Sequence, residues 1–193
     1  WVLTAFVAAM LALATVTIFS GAIESALGRV AIGLAGIAYC SLTLGFLILM
    51  PRKAILVLLL IVWIGDTAAY YGGRAFGRHL LAPSVSPKKT WAGAIGGFAG
   101  SLTVAGIFAA AGAGKTGPLL ALAAFLSVIS QLGDLFESAV KRRFGVKDSS
   151  HIIPGHGGLM DRLDGFVAAV VAAAIFGFLR GGADGVGRGL MVW

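Results

Sequence analysis

The sequence predicts an all-α protein, a polytopic membrane helix bundle of about six transmembrane helices, organised as one domain over residues 1–193. Hydrophobic residues make up 59% of the chain and charged residues only 12%, whereas soluble domains carry about 25% charged residues. Several uncharged stretches also approach or exceed the roughly 18 residues that are typical of a membrane span. Most of the surface is therefore expected to face lipid, which excludes an ordinary soluble domain.

The predicted spans follow from apolar stretches taken in order along the chain. Spans one, two, four and five are uncharged and cover Trp1–Ile23, Val30–Pro51, Thr90–Gly114 and Thr116–Gly133. Span three, Ala54–Gly73, contains Asp66, and span six, Gly165–Leu179, reaches full length only if it begins near Met160. Acids at membrane depth are costly and often functional. Span four also has small-residue spacings that predict close helix contact, at Gly93, Gly96, Gly97 and Gly100.

Charged residues are distributed unevenly over the two sides that these six spans define. One side carries ten of the 15 cations, and the other carries Arg52, Lys53, Lys115, Arg180 and Arg188. Basic loops tend to stay in the cytoplasm, so the richer side is expected to be cytoplasmic and both termini to lie outside. Six of the eight acids fall on the basic side, which predicts a site there: Asp66, Asp134, Glu137, Asp148, Asp161 and Asp164.

The polar stretch Ser130–Asp164 carries most of the candidate chemistry. If span five stays helical to about Lys141, one helix face presents four polar side chains at spacings of three and four: Asp134, Glu137, Ser138 and Lys141. Asp161 and Asp164, three apart at the start of span six, can point at one ion. Oxygen ligands without paired cysteines favour magnesium over zinc. The alternatives are a helix-capping acid pair and an intrahelical ion pair between Glu137 and Lys141.

Basic and glycine-rich segments on the same side predict phosphate binding. Lys141, Arg142, Arg143 and Lys147 lie between the two acid pairs, and residues 154–158 form a glycine-rich loop whose amides can meet phosphate oxygens. The segment before span four is expected to form a turn that presents Lys88 and Lys89. An anchor for anionic lipid head groups remains the alternative for the basic cluster.

These residues resemble the signature of the phosphatidate cytidylyltransferase (CDP-diacylglycerol synthase) family. The resemblance covers about Trp63 to Phe166 and includes the segment Ser86–Gly93. Gly165 departs from the serine that is frequent in the family, and the amino-terminal spans of full-length members are expected to be missing or shortened here. The signature positions that match are Ser138, Lys141, Arg142, Lys147, Asp148, Pro154, His156, Gly157, Gly158, Asp161, Arg162 and Asp164.

The resemblance implies a catalytic domain that transfers CMP from CTP to phosphatidate in the bilayer and releases pyrophosphate. It implies one or more Mg²⁺ ions, with an additional monovalent cation as a further option, and a homodimer in the cell (inner) membrane whose active site faces the cytoplasm. Membrane lipids are the other expected partners, and nucleic acid is not.

The expected roles of the site residues are a hypothesis that combines this reaction with the charges of the residues. Asp134, Asp161 and Asp164 are the expected metal ligands and, with Lys147, the expected catalytic residues. Lys147, His156 and Arg162 are expected to contact the triphosphate, and Lys88, Lys89 and Arg142 the lipid phosphate. The remaining expected substrate-binding residues are Ser86, Glu137, Ser138, Lys141, Asp148, Gly157 and Gly158.

Two other functions remain open from the sequence. A CTP-dependent transferase acting on another lipid phosphate or on a lipid alcohol would use the same residues. A cation or proton carrier would also place acids within membrane spans, but here the acids cluster at one face beside glycine-rich loops.

Overall fold

The computed structural model describes residues 12, 30, 34, 36–39, 41, 43, 45–150, 158, 160–182 and 185–191. The chain divides into two compact units, Trp1–Leu49 and Met50–Trp193. In the first unit the described residues are helical, and the hydroxyl of Thr43 donates a hydrogen bond to the carbonyl of Tyr39 one turn earlier, at 2.7 Å. Apart from residue 12, predicted span one lies outside the described residues, as do seven of the 22 residues of predicted span two. The single domain over residues 1–193 stays a prediction.

The second unit is predominantly helical, as the sequence predicts. Its elements, numbered from here on, are α1 (Arg52–Phe76), β1 (Leu80–Ala82), β2 (Ser86–Thr90), α2 (Trp91–Ala110), α3 (Thr116–Arg143), α4 (Met160–Gly181) and α5 (Val186–Met191). Within the described part of the chain, α1 to α4 are long and apolar enough to cross a membrane. They correspond to predicted spans three to six and make this an integral membrane protein.

A short β-hairpin joins α1 to α2 where the sequence predicts only a turn. β1 and β2 pair in antiparallel register, with Leu80 opposite Thr90 and Ala82 opposite Ser86. The hydroxyl of Thr90 then accepts a hydrogen bond from the backbone N–H of Gly93 at 3.1 Å, which caps the start of α2. The hairpin therefore leads directly into a capped helix, and this fixes the position of β2 against the bundle.

Helices α1 and α2 pack closely through glycines. A Cβ atom added at Gly93 would lie 2.9 Å from the carbonyl oxygen of Ala69, and one added at Gly97 would lie 3.0 Å from that of Gly65. Such distances leave no room for a side chain, so the predicted close helix contact of span four is confirmed. The buried hydroxyl of Ser101 adds a hydrogen bond to the carbonyl of Ile61 across the same pair, at 3.0 Å.

Helix α3 is the central support of the bundle, because it packs against both α2 and α4. The side-chain amide of Gln131 donates to the carbonyl of Ala94 in α2 at 3.3 Å. On the other side, a Cβ atom added at Gly133 would lie only 2.3 Å from the Cβ of Ala168 in α4. α3 has 28 residues, a length of about 42 Å that exceeds the roughly 30 Å hydrocarbon core. Its charged carboxyl-terminal turns therefore extend to the membrane surface.

Candidate active site

The carboxyl-terminal half of α1, strand β2, the end of α3 and the start of α4 meet at one end of the bundle. Lys89 of β2 forms an ion pair with Asp134 of α3. Arg142, near the end of α3, donates from Nε to the carbonyl of Val85 beside β2 at 3.4 Å. Lys141 of α3 bonds Asp161 of α4 at 2.7 Å. The structure thus brings together the helix ends that the sequence placed on one membrane side.

Asp66, Asp134 and Asp164 form an acidic cluster with Asp134 at its centre. Asp134 interacts electrostatically with Asp66 of α1 and with Asp164 of α4. One oxygen of Asp134 faces the ammonium group of Lys89, and the other accepts a hydrogen bond from the hydroxyl of Ser138 at 3.4 Å. Like-charged carboxylates repel each other, so this cluster favours bound cations.

Lys141 is held between two acids. Its ammonium group lies 3.3 Å from Oε1 of Glu137, one turn earlier in α3, and 2.7 Å from Oδ1 of Asp161. All three side chains are largely buried, with exposed fractions of 15%, 14% and 9%. The intrahelical pair that the sequence left as an alternative is therefore present, and Asp161 joins it from α4. Among the described residues, Oε2 of Glu137 is buried without a hydrogen-bond partner.

The carboxylate of Asp161 is surrounded by protein donors. Its Oδ1 accepts from Lys141, and its Oδ2 accepts from the backbone N–H of Ser149 at 2.8 Å, from the Ser149 hydroxyl at 3.0 Å and from the backbone N–H of Gly158 at 2.8 Å. A carboxylate offers about four acceptor positions. These contacts occupy them, so Asp161 fastens the loop between α3 and α4 to the start of α4.

A cationic pocket of about 300 Å³ opens beside the acidic cluster. It brings together four basic side chains and one acid, and most of its lining residues are predicted substrate-binding residues. Within the described part of the chain, Lys88, Arg142 and Lys147 form no ion pair with an acid, so their charge is available to an anion. The pocket is lined by Ser86, Pro87, Lys88, Ser138, Lys141, Arg142, Lys147 and Asp148.

The side chains of the two lysines of β2 lie in different parts of the candidate site, although both are predicted to contact the lipid phosphate. Lys88 lines the cationic pocket, whereas Lys89 pairs with Asp134 in the acidic cluster. Successive side chains of a strand point to opposite faces, which explains the division. The strand itself was not predicted, so the two side chains were expected to act together.

The remaining predicted residues divide between described and undescribed positions. His156 and Gly157, with Pro154, lie outside the described residues. Gly158 is buried and contacts Asp161, and Arg162 is exposed in the first turn of α4. Sequence reasoning missed Ser149 as a partner of Asp161. A serine directly after Lys147–Asp148 is a weak signal, because its partner lies 12 residues further along the chain.

The predicted metal set is only partly assembled. Among the described residues, no three acidic, histidine or cysteine side chains lie close enough together to hold one metal ion. The oxygens of Asp161, the third predicted ligand, accept bonds from Lys141, Ser149 and Gly158, and its role as a metal ligand stays a prediction. Asp134 and Asp164 remain neighbours. Two carboxylates with substrate phosphates are a usual donor set for Mg²⁺, so these residues fit that ion.

The chain matches a known protein family over most of its length. The model of the cytidylyltransferase family matches residues 1–179, which include the cationic pocket and the acidic cluster. This chain belongs to the cytidylyltransferase family. Membership bears out the family resemblance that the signature residues gave.

Three relatives of this cytidylyltransferase-family chain carry the name phosphatidate cytidylyltransferase. The protein of Brucella suis biovar 1 (strain 1330) is 54% identical over 127 residues, which cover 64% of this chain and 46% of the relative. That of Haemophilus influenzae is 45% identical over 130 residues, covering 64% and 45%. That of Staphylococcus aureus (strain COL) is 49% identical over 115 residues, covering 58% and 44%. The chain thus spans about half the length of the curated relatives it matches.

Proposed function

We propose that this chain forms the catalytic centre of a phosphatidate cytidylyltransferase, which transfers CMP from CTP to phosphatidate. The observation that carries the proposal is the contact between the cationic pocket and the acidic cluster. Ser138 lines the pocket and also donates to Asp134. Cations bind phosphate groups, and carboxylates bind the divalent ion that accompanies them. The names of the relatives support the same reaction.

In this reaction an oxygen of the lipid phosphate attacks the α-phosphorus of CTP. A phosphorus–oxygen bond forms there, the bond between the α-phosphorus and the bridging oxygen of the β-phosphate breaks, and pyrophosphate leaves with the bonding electrons. The attacking phosphate monoester has a second pKa of about 6 and is already largely ionised at neutral pH. No strong general base is needed, so the main requirement is to offset the repulsion between two anions.

The basic side chains of the pocket meet this requirement. Lys88 from β2, Arg142 from α3 and Lys147 from the following loop converge on one cavity from three segments. We assign Lys88 and Arg142 to the lipid phosphate and Lys147 to the triphosphate. Since all three share the cavity, both phosphates can approach closely. Lys89 instead offsets part of the negative charge of the acidic cluster through Asp134.

Asp134 and Asp164 would hold a divalent ion such as Mg²⁺, which when bound supplies positive charge to the phosphate oxygens. Both are carboxylates, the ligands that this ion prefers. Ser138 and Lys89 orient Asp134 through its two oxygens, and the backbone N–H of Gly165 bonds Oδ1 of Asp164 at 2.7 Å. These contacts hold the carboxylates in place. An additional monovalent cation stays a prediction of the family resemblance.

We further propose that the site faces the cytoplasm at the inner membrane. The pocket cations belong to the basic side of the chain, and cytoplasmic loops are enriched in lysine and arginine. CTP, an intracellular nucleotide, would then reach the pocket from the aqueous side, and phosphatidate would reach it from the bilayer. The homodimer that the family resemblance implies is retained as a proposal.

The decisive experiment incubates the purified protein in lipid vesicles with Mg²⁺, phosphatidate and CTP labelled at the α- or the γ-phosphorus. The proposal expects α-label in a CDP-lipid and γ-label in pyrophosphate. Transfer of γ-label to lipid would instead show a CTP-dependent kinase. Replacing phosphatidate by a lipid alcohol or an isoprenoid phosphate tests the other acceptors. Asp164→Asn is expected to abolish product formation without unfolding the protein.

A further inference from the structure

Among the acids in the described part of the chain, Asp161 accepts the largest number of hydrogen bonds. It accepts hydrogen bonds from one side chain of α3 and from two positions of the loop that follows: Lys141, Ser149 and Gly158. Only 9% of its side chain is exposed. A carboxylate so enclosed is a structural anchor as it stands, and an ion could reach it only by displacing these donors.

The bonds from Ser149 fix the part of the loop that forms a wall of the cationic pocket. Lys147 and Asp148, which line the pocket, directly precede Ser149. The backbone N–H of Ser149 lies 2.8 Å and 3.1 Å from the two oxygens of Asp161, and its hydroxyl adds a third bond. Only a few rotatable backbone dihedral angles, two per residue, separate Lys147 from this anchor. Holding Ser149 in place therefore limits where the ammonium group of Lys147 can lie.

Gly158 packs closely against the same segment, at Ser149 and Ser150. A Cβ atom added at Gly158 would lie 2.2 Å from the hydroxyl of Ser149 and 2.9 Å from the backbone nitrogen of Ser150. A side chain at this position would force the backbone at Ser150 to move. The absence of a side chain therefore lets Gly158 donate to Asp161 while Ser149 keeps its own bonds.

The bond from Lys141 connects this anchor to α3. Lys141 lines the pocket, and its ammonium group is held by Asp161 at 2.7 Å and by Glu137 at 3.3 Å. Asp161 thus fixes two pocket cations: Lys141 directly, and Lys147 through Ser149. Charge-assisted hydrogen bonds are roughly twice as strong as neutral ones, which suits this task.

We propose that Asp161 is a positioning residue that fastens the loop carrying Lys147 to α4, and through Lys141 to α3, and so places a cation that receives a substrate phosphate. This inference rests on the proposed function. It differs from a metal-ligand role, because Asp161 would act through Ser149 and Lys141 whether or not a divalent ion is present.

Nucleotide affinity measured without a metal separates the two roles. CTP binding is measured by equilibrium dialysis in EDTA and again in Mg²⁺, for the wild-type protein and for Ser149→Ala, Asp161→Ala and Thr103→Ala. Thr103 provides the matched control, because its exposed hydroxyl bonds only within α2, to the carbonyl of Ala99 at 2.9 Å. Thermal unfolding in the same vesicles shows whether each variant is folded.

Ser149→Ala is expected to weaken CTP binding by about three- to tenfold in both conditions, the equivalent of one lost hydrogen bond. Asp161→Ala is expected to weaken it by more than tenfold, although loss of a negative charge beside a cationic pocket would by charge alone strengthen anion binding. The double variant is expected to bind no more weakly than Asp161→Ala, because both changes break one connection.

The outcomes distinguish this inference from the proposed function. Ser149→Ala binding CTP as tightly as Thr103→Ala, while wild type forms the CDP-lipid, would overturn the inference alone. An effect of Asp161→Ala seen only in Mg²⁺ would also overturn it, in favour of a metal ligand. Failure of the wild type to form a CDP-lipid would overturn both. Should Asp161→Ala not fold, Ser149→Ala carries the test, since it removes one hydroxyl.

Discussion

Gly133→Ala tests whether the spacing between α3 and α4 controls the site. Gly133 precedes Asp134, and α4 carries Asp164, so the contact between Gly133 and Ala168 lies beside the proposed metal ligands. An added Cβ would lie 2.3 Å from the Cβ of Ala168. Ordinary contacts begin at 3.4 Å, so the two helices must separate locally by about 1 Å, a displacement that can cost about 100-fold in rate.

The same substitution has opposing effects on stability. Alanine favours a helix over glycine by about 1 kcal/mol, whereas overpacking costs about 1–3 kcal/mol. We therefore expect a small net destabilisation with a large loss of kcat. Gly106→Ala in α2 is the matched control, because a Cβ atom there meets nothing within 4 Å, and it is expected to keep wild-type kcat.

The assay is formation of the CDP-lipid from α-labelled CTP at saturating substrates, with thermal unfolding followed in parallel. A folded Gly133→Ala variant with the same kcat as Gly106→Ala would refute the reasoning. The α3–α4 spacing would then not limit catalysis, and the proposed pairing of Asp134 with Asp164 on one ion would lose its support.

Two further predictions concern the pocket and the core. Arg142→Gln is expected to raise KM for phosphatidate about tenfold. Arg143 is exposed and does not line the pocket, so Arg143→Gln is expected to change KM less than about twofold. Equal effects of the two substitutions on KM in a vesicle assay would contradict the assignment of Arg142 to the lipid phosphate. Ser101→Ala is expected to lower the free energy of unfolding by about 1 kcal/mol through loss of its bond to Ile61. For the exposed Thr103→Ala, the free energy of unfolding is expected to stay within about 0.5 kcal/mol of the wild-type value. If reversible denaturation gave the same free energy of unfolding for both variants, the buried hydrogen bond would contribute nothing to stability.

The sequence predicts the helices of this protein well because lipid imposes a simple rule. A span must be apolar and about 20 residues long, and α3 accordingly begins at Thr116 and continues past Lys141, as its uncharged run and polar face indicate. The β-hairpin could not be predicted in the same way. Its strands have three and five residues, and β2 contains Pro87, so neither shows the alternation that marks a strand.

The sequence predicts which residues gather at the candidate site better than it predicts which of them contact one another. The pocket residues come from the segments that the charge distribution singled out, because acids and cations in a membrane protein must gather where water reaches them. The partners of Asp161 lie 12 and 20 residues earlier in the chain, at Ser149 and Lys141. Spacing within a single helix predicts a shared role for Asp161 and Asp164, but it does not predict that the two side chains contact different partners.

Strand β2 separates the two halves of the site, with Lys88 on the side of the pocket and Lys89 on the side of Asp134. Deleting or inserting a single residue in this strand would exchange the two ammonium groups between compartments, because side-chain direction reverses at every step. Within β2, insertions or deletions should therefore be tolerated only two residues at a time. In the turn formed by residues 83–85, extra residues can be added without reversing the side chains of β2.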